Sequence, residues 1–289
     1  MRALTLFTVF AFVFLMSMQS GAEQQTTVNI NVAMMESTCK IVGKGSIGTG
    51  FIIGKPSSKD PKIHFYTLVT AHHVLAAVQD ENVILVFRQL TEAGKWERTE
   101  IPLHIRDGAK ELWRKHNEVD LAVMHVRLPK KVIRSLVPMS LIFADEKIKE
   151  YEIGPGDELF CLGYPFGEEA NPDGFAILRS GKVASYPLLP TKKTKTFLFS
   201  FTIFPGNSGG PVYLYEKQPI YEGKTHLGCI QGIMGVVTTE RRLSQRVVQL
   251  YETREVVTPL ALAEVIHASF IEELIKSLPE PEVDLSECK

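Results

Sequence analysis

The sequence predicts an all-β fold, arranged as two strand-rich lobes of about six strands each and followed by one helix. Three observations predict it. Runs of four to eight β-branched and aromatic residues recur between Gly, Pro and polar turns. The stretch Pro129–Gly156, mixed and charged and punctuated by Pro129, Pro138 and Pro155, separates two such sets. The apolar period turns helical only near the C-terminus. With 289 residues, 45% of them hydrophobic, and 32 Lys+Arg against 33 Asp+Glu, the chain can bury a core. The balanced charge offers no broad basic field and excludes nucleic acid as an expected partner.

In chain order, Arg2 is followed by the apolar run Ala3–Met16, broken only by Thr5 and Thr8, and then by the small residues Ser20-Gly21-Ala22. That run is shorter than the roughly 20 residues a membrane span needs. Residues 1–22 read as a secretory signal peptide, with an uncleaved anchor lengthened through Met18 as the rival. The expectation is a secreted or periplasmic protein with no stable membrane insertion after signal cleavage. The first lobe, about 27–128, offers strands at Val28–Ala33, Thr38–Val42, Gly50–Ile53, Ile63–Thr70, Val83–Phe87, Thr99–His104 and Leu121–Val126. Within it, Asp107–His116 reads as a helix-like stretch with Asp107 as its cap. After the connector, 129–156, the second lobe spans about 157–257. Its strands are Glu158–Gly163, Ala176–Ala184, Thr196–Ile203, Pro211–Tyr215, Gly228–Val237 and Arg246–Tyr251. Leu262, Ile266, Phe270 and Leu274 fall four apart after Thr258-Pro259, which predicts an amphipathic helix over 259–278 and a polar tail at 279–289. Cys39, Cys161, Cys229 and Cys288 include no C-x-x-C pair, so neither a zinc ribbon nor a thioredoxin-like motif is present. Their pairing and the oligomeric state stay open.

The most informative segment is Pro205-Gly206-Asn207-Ser208-Gly209-Gly210-Pro211, which packs glycines around one serine before an apolar strand. A nucleophilic serine needs inward backbone N–H groups beside it to hold an oxyanion, and glycine tolerates the dihedrals this takes. Upstream, Leu68-Val69-Thr70-Ala71-His72-His73-Val74 ends a strand on a histidine pair, and Glu118-Val119-Asp120-Leu121-Ala122 opens a strand on an acid. His73 and Asp120 are 47 residues apart, and Asp120 and Ser208 are 88 apart, so only a fold could converge them. Serine is a weak nucleophile until a histidine takes its proton and an acid fixes that histidine's tautomer. Gly206–Gly210 also satisfies the G-x-S-x-G elbow of α/β-hydrolases. That reading fails because a strand, not a helix, follows, because Asp284 comes after the last histidine, His267, and because strands and helices do not alternate.

These segments resemble the chymotrypsin-like (trypsin-fold) serine peptidases, and the bacterial periplasmic heat-shock type more than the digestive type. Gly48-Thr49-Gly50-Phe51-Ile52-Ile53 resembles a first-barrel strand of that group, and Thr70–Leu75 its histidine box. Asp120-Leu121-Ala122-Val123 resembles its aspartate box, Gly163-Tyr164-Pro165-Phe166-Gly167 its second-barrel turn, and Gly206–Pro211 its serine box. The resemblance runs from Gly48 to Val237. It implies two six-stranded antiparallel β-barrels with a cleft between them and no metal or organic cofactor; the chain stops after its helix, so no appended peptide-binding domain is expected.

The resemblance also implies roles. His73, the residue before the aligned Val, is the general base in preference to His72. Asp120 orients it, Ser208 is the nucleophile, and the N–H groups of Gly206 and Ser208 form the oxyanion hole. Thr202 stands at the base of the primary specificity pocket, with Gly235, Val236 and Val237 as walls. No acid at that base implies a small or apolar preference rather than Lys or Arg. Asn207 stands where digestive relatives carry an aspartate that pairs with a newly cut N-terminus, so that activation route is not implied. The expected activity is hydrolysis of protein or peptide substrates through an acyl-enzyme. A catalytically inactive binding module and an esterase on the same fold remain as rivals.

Overall fold

The computed structural model describes residues 29–60, 64–129, 131–133, 135–248 and 253–281. The expected signal peptide lies outside the described residues, as do residues 282–289. Twelve longer strands carry the described chain. The first six are β1 (Thr38–Gly43), β2 (Ser46–Pro56), β3 (His64–Thr70), β4 (Asn82–Leu90), β5 (Trp96–His104) and β6 (Ala122–His125). The second six are β7 (Glu158–Gly163), β8 (Ile177–Lys182), β9 (Thr196–Ser200), β10 (Pro211–Lys217), β11 (Cys229–Val248) and β12 (Thr253–His267). The helices include α1 (Ile30–Ser37), α2 (His72–Ala76), α3 (Asp145–Glu150), α4 (Thr191–Thr194) and α5 (Ala268–Lys276).

Strands β1–β6 pair antiparallel in the order β5-β4-β1-β2-β3-β6, and Arg114–Lys115 adds beside β6. The chain from β5 to Arg114–Lys115 is continuous, so the sheet curls back toward its first edge. Strands β7–β12 run in the order β8-β7-β10-β11-β12-β9. A bridge between Val183 and Phe199, with the Ala184 amide donating to Leu198 O at 2.7 Å, joins the two ends into a ring. This is the two-barrel, all-β architecture the sequence predicts.

Why the strands read as nearly unbroken apolar runs follows from alternation. Successive strand residues face opposite sides, and here both sides are apolar. Ile52, Leu68 and Ala122 fill the first barrel's interior, while their neighbours Phe51, Ile53, Val69, Leu121 and Val123 face the seam between barrels. In the second barrel Cys161, Val212, Met234 and Val265 point inward, and Leu162, Tyr213, Ile233 and Ile266 point to the seam. Helices α1 and α5 complete the seam through Ile30, Met34, Phe270, Ile271 and Leu274.

Several expected elements differ. Val28–Ala33 is not a strand: α1 covers Ile30–Ser37, capped by the Asn29 side chain, which accepts from the Asn31 amide at 3.0 Å. Its buried Ile30, Ala33 and Met34 are spaced for a helix face laid in the seam. Asp107–His116 is not helical but holds the short pairing of Arg106–Asp107 with Lys110–Glu111. The helix expected over 259–278 begins only at Ala268. Residues 253–267 are strand β12, which pairs with both β9 and β11. Leu262 and Ile266 match a helical spacing by coincidence, whereas Ala263 and Val265 alternate into the barrel. The second barrel therefore extends past 257 to His267. Arg246–Val248 belongs to the same strand as Cys229, and residues 249–251 lie outside the described chain.

Cys39, Cys161 and Cys229 are free thiols, and Cys288 lies outside the described residues. Burial pushes both the Cys39 and Cys161 thiols up to about 12, which leaves them inert at neutral pH.

Candidate active site

The histidine pair opens α2, where strand β3 ends at Thr70 and Ala71 turns the chain. Two adjacent side chains cannot face the same way, and the structure separates them. The His73 ring meets Asp120 (Nδ1–Oδ2 2.5 Å), and the His73 amide donates to Asp120 Oδ1 at 2.9 Å. His72 instead accepts from the Trp113 indole N–H at 3.2 Å. Asp120 sits just before β6, which pairs with β3, so the sheet brings the acid beside the histidine. Burial raises the Asp120 carboxyl, but the hydrogen bonds from the His73 ring and amide outweigh it and hold the group below the usual carboxylate range. None of Asp107, Asp145 and Asp157 shares this role. Asp107 accepts from His104 (Nε2–Oδ1 2.8 Å), Asp145 accepts from the Thr191 hydroxyl, and Asp157 accepts from the Gly154 amide.

Ser208 lies in the turn between β9 and β10, and that turn is held from the first barrel. The Thr49 amide donates to Ser208 O at 2.8 Å, and the Thr49 hydroxyl donates to Gly206 O at 2.7 Å. The Thr70 hydroxyl in turn donates to Thr49 O at 2.7 Å. Gly209 packs so tightly against this histidine strand that a Cβ there would lie 2.0 Å from Thr49 O and 3.0 Å from the Ala71 amide nitrogen. Only glycine fits, and its φ of +86° agrees.

The Gly206 and Ser208 amides are set by a third contact. The Phe166 amide donates to Pro205 O at 2.6 Å. In a trans peptide the N–H points opposite to the carbonyl, so the Gly206 N–H is turned away from Phe166. Gly206 has φ +98°, and a Cβ on it would collide with Tyr164 O at 2.1 Å. Neither the Gly206 nor the Ser208 amide meets a protein acceptor among the described residues. The Ser208 hydroxyl donates to Thr238 O at 2.9 Å, and no hydrogen bond between it and His73 is present among the described residues.

The expected pocket residues are placed differently. Thr202 is half-buried in the segment before the serine turn. Val236 and Val237 are fully buried, one in the seam and one inside the second barrel. A Cβ on Gly235 would lie 2.0 Å from Ile266 O. These three cannot wall a substrate pocket, because β11 is still a central strand there. The stretch that passes the serine begins at Thr238. The expected walls therefore shift along β11 by about one to three residues. Thr49 and Phe166, which hold the oxyanion turn, lie inside segments the sequence singles out, but their positioning contacts are not expected from it. A lone threonine among glycines and aliphatics in Gly48–Ile53 is the signal that could have found the first. Asn207 is buried, and its side-chain nitrogen has no hydrogen-bond partner among the described residues.

Residues 48–220, more than half of the chain, match the family described as trypsin-like peptidase domain. The chain belongs to that family. No curated protein sequence matches this trypsin-like peptidase. Among solved structures it is similar to Rv3671c from M. tuberculosis, as a serine-to-alanine mutant in an inactive form, and to the Rv3671c protease in an inactive form. The identities are 18% and 17%, and each covers 88% of this chain and 94% of that chain at a TM-score of 0.43.

Proposed function

We propose that this trypsin-like peptidase is an exported serine endopeptidase, with segments nearest the bacterial periplasmic heat-shock type, acting on protein or peptide substrates. The observation that carries the reading is the joint arrangement of the His73–Asp120 pair and the two unengaged amides at Gly206 and Ser208. In the reaction, His73 Nδ1–H is held by Asp120, which leaves Nε2 to take the Ser208 proton and stabilises the imidazolium that results. For attack, the Ser208 hydroxyl leaves Thr238 O and turns to His73. The new oxyanion is taken by the Gly206 and Ser208 amides, worth about 3–4 kcal/mol for a single donor. The acyl-enzyme is then released by water, with His73 as base again.

Labelling by a fluorophosphonate probe tests this, together with casein hydrolysis. The expected result is labelling that disappears in Ser208→Ala, with turnover lowered about a million-fold. A folded wild-type protein that never labels sinks the reading. The engagement of the Ser208 hydroxyl with Thr238 favours one rival, a non-catalytic binding module, and the same assay separates the two. Sequencing of the mature N-terminus checks export, with cleavage after Ala22 as the expected outcome. What supports the small-or-apolar preference is the lack of an acid at Thr202, from which it was drawn.

A further inference from the structure

A buried charge is costly unless it is paired, and the second barrel holds a guanidinium that is not. Arg179 lies on β8 with its Cα opposite Cys161 of β7. Directly opposed residues of an antiparallel pair project to the same side, and Cys161 belongs to the barrel interior. Arg179 therefore points inward. Its guanidinium lies 4.1 Å from the Phe201 ring centroid and 5.4 Å from that of Phe204. Nη1 is buried with no hydrogen-bond partner, and no carboxylate pairs with Arg179 among the described residues.

Phe201–Phe204 is the segment that runs into Pro205-Gly206. The Phe204 ring lies 5.1 Å from that of Phe166, whose amide orients the oxyanion peptide. The Phe201 amide donates to Ala261 O at 3.0 Å, which places the segment beside β12, the partner of the strand that passes Ser208 at Thr238. For a peptide whose carbonyl carbon meets Ser208, with its oxygen on the Gly206 and Ser208 amides, the proposed path of the adjoining side chain lies between this segment and Thr238–Glu240. We propose that Arg179 reads that side chain and selects a carboxylate, so that the peptidase cleaves after glutamate or aspartate. This rests on the peptidase reading above. A substrate carboxylate supplies the missing counter-charge and a planar, charge-assisted pairing that Arg179 does not find among the described residues. Glu240, on the strand past Ser208, is held by Arg242 (Nε–Oε2 3.6 Å) and carries one unpartnered buried oxygen.

The test is a fluorogenic peptide panel identical except for the residue before the scissile bond, carrying Glu, Asp, Gln, Leu or Lys. Wild type is expected to favour Glu over Gln in kcat/KM by at least about tenfold, in keeping with a charge-assisted hydrogen bond. In Arg179→Gln that ratio is expected to collapse to near one, and in Arg179→Lys to be reduced but to keep its sign. A wild-type preference for Leu overturns the inference. So does a preference for Lys, which would give the pocket to Glu240, or an Arg179→Gln variant that keeps the Glu preference. Fluorophosphonate labelling distinguishes the failures. Wild type that labels without an acidic preference refutes the role of Arg179 alone, whereas wild type that does not label refutes the peptidase reading and this inference with it.

Discussion

Arg88 of the first barrel is fully buried and Arg179 of the second half-buried, and although each leaves one buried nitrogen without a partner, their other surroundings differ. Arg88 is fully buried on β4 and faces the seam, where Nη1 donates to the Tyr164 hydroxyl at 3.2 Å and Nη2 donates to Glu36 O and Thr38 O. The Phe87 and Phe175 rings lie over and under it at 5.7 and 4.9 Å. Arg179 has the aromatic contacts without the acceptors. A guanidinium supplied with acceptors from helix α1, β1 and a second-barrel loop is architecture, since it ties three elements that share no sheet. One without acceptors among the described residues is open to a counter-charge from a bound molecule.

The largest stability effect should come from Arg88→Met. It strands the Glu36 and Thr38 carbonyls and takes one of the two partners of the Tyr164 hydroxyl, and a loss of about 3–5 kcal/mol is expected in urea unfolding. A loss under about 1 kcal/mol would erase the comparison. The next is a pH effect at His267. Burial, only partly opposed by the Asp145 charge, pushes its imidazole from 6.5 down to about 4. Below pH 6.5 the unfolded chain binds a proton that the folded one refuses until about pH 4. Stability should therefore fall across that window by roughly 3 kcal/mol. In His267→Phe that share of the acid sensitivity should vanish from denaturation curves taken between pH 7 and 4.

Smaller still is Thr49→Val, which removes the hydroxyl that the first barrel lends to Gly206 O. The expected outcome is a ten- to hundredfold drop in kcat with KM little changed, restored by Thr49→Ser, since oxyanion positioning and not binding is disturbed. An equal loss in both variants would mean that the methyl matters and the hydrogen bond does not. The smallest stability change should be that of Arg179→Gln, within about 1 kcal/mol of wild type by thermal unfolding. Removing an unpaired charge relieves about as much as the lost ring contacts cost.

The barrels themselves were legible because a pleated strand buried on both faces leaves a run such as Gly50–Ile53 or Leu159–Leu162 between turn residues. The pairing of His73 with Asp120 was legible through the order and setting of two short boxes. What local pattern could not supply was competition between periods. Leu262, Ile266, Phe270 and Leu274 obey a helical spacing that is broken at His267 only because β9 and β11 claim the residues before it. Val28–Ala33 alternates like a strand, yet the seam offers room for a helix face. The pocket walls were misplaced by a few positions because the register shift in β11 between Val237 and Thr239 leaves no mark in composition. Arg179 was invisible for a different reason: an unpaired charge is a property of what surrounds it.

Thr49 and Gly206 are 157 residues apart, and their hydrogen bond crosses the seam. The serine turn is thus fastened by a strand made in the other half of the molecule, early in synthesis. Contacts of such long sequence separation form late, after each half has gathered its local structure. A second barrel still awaiting its neighbour would carry Ser208 on an untethered turn, and a first barrel alone would hold a base with nothing to deprotonate. Under the proposed mechanism, hydrolytic power is a product of assembly, and a half-made chain is spared its own chemistry.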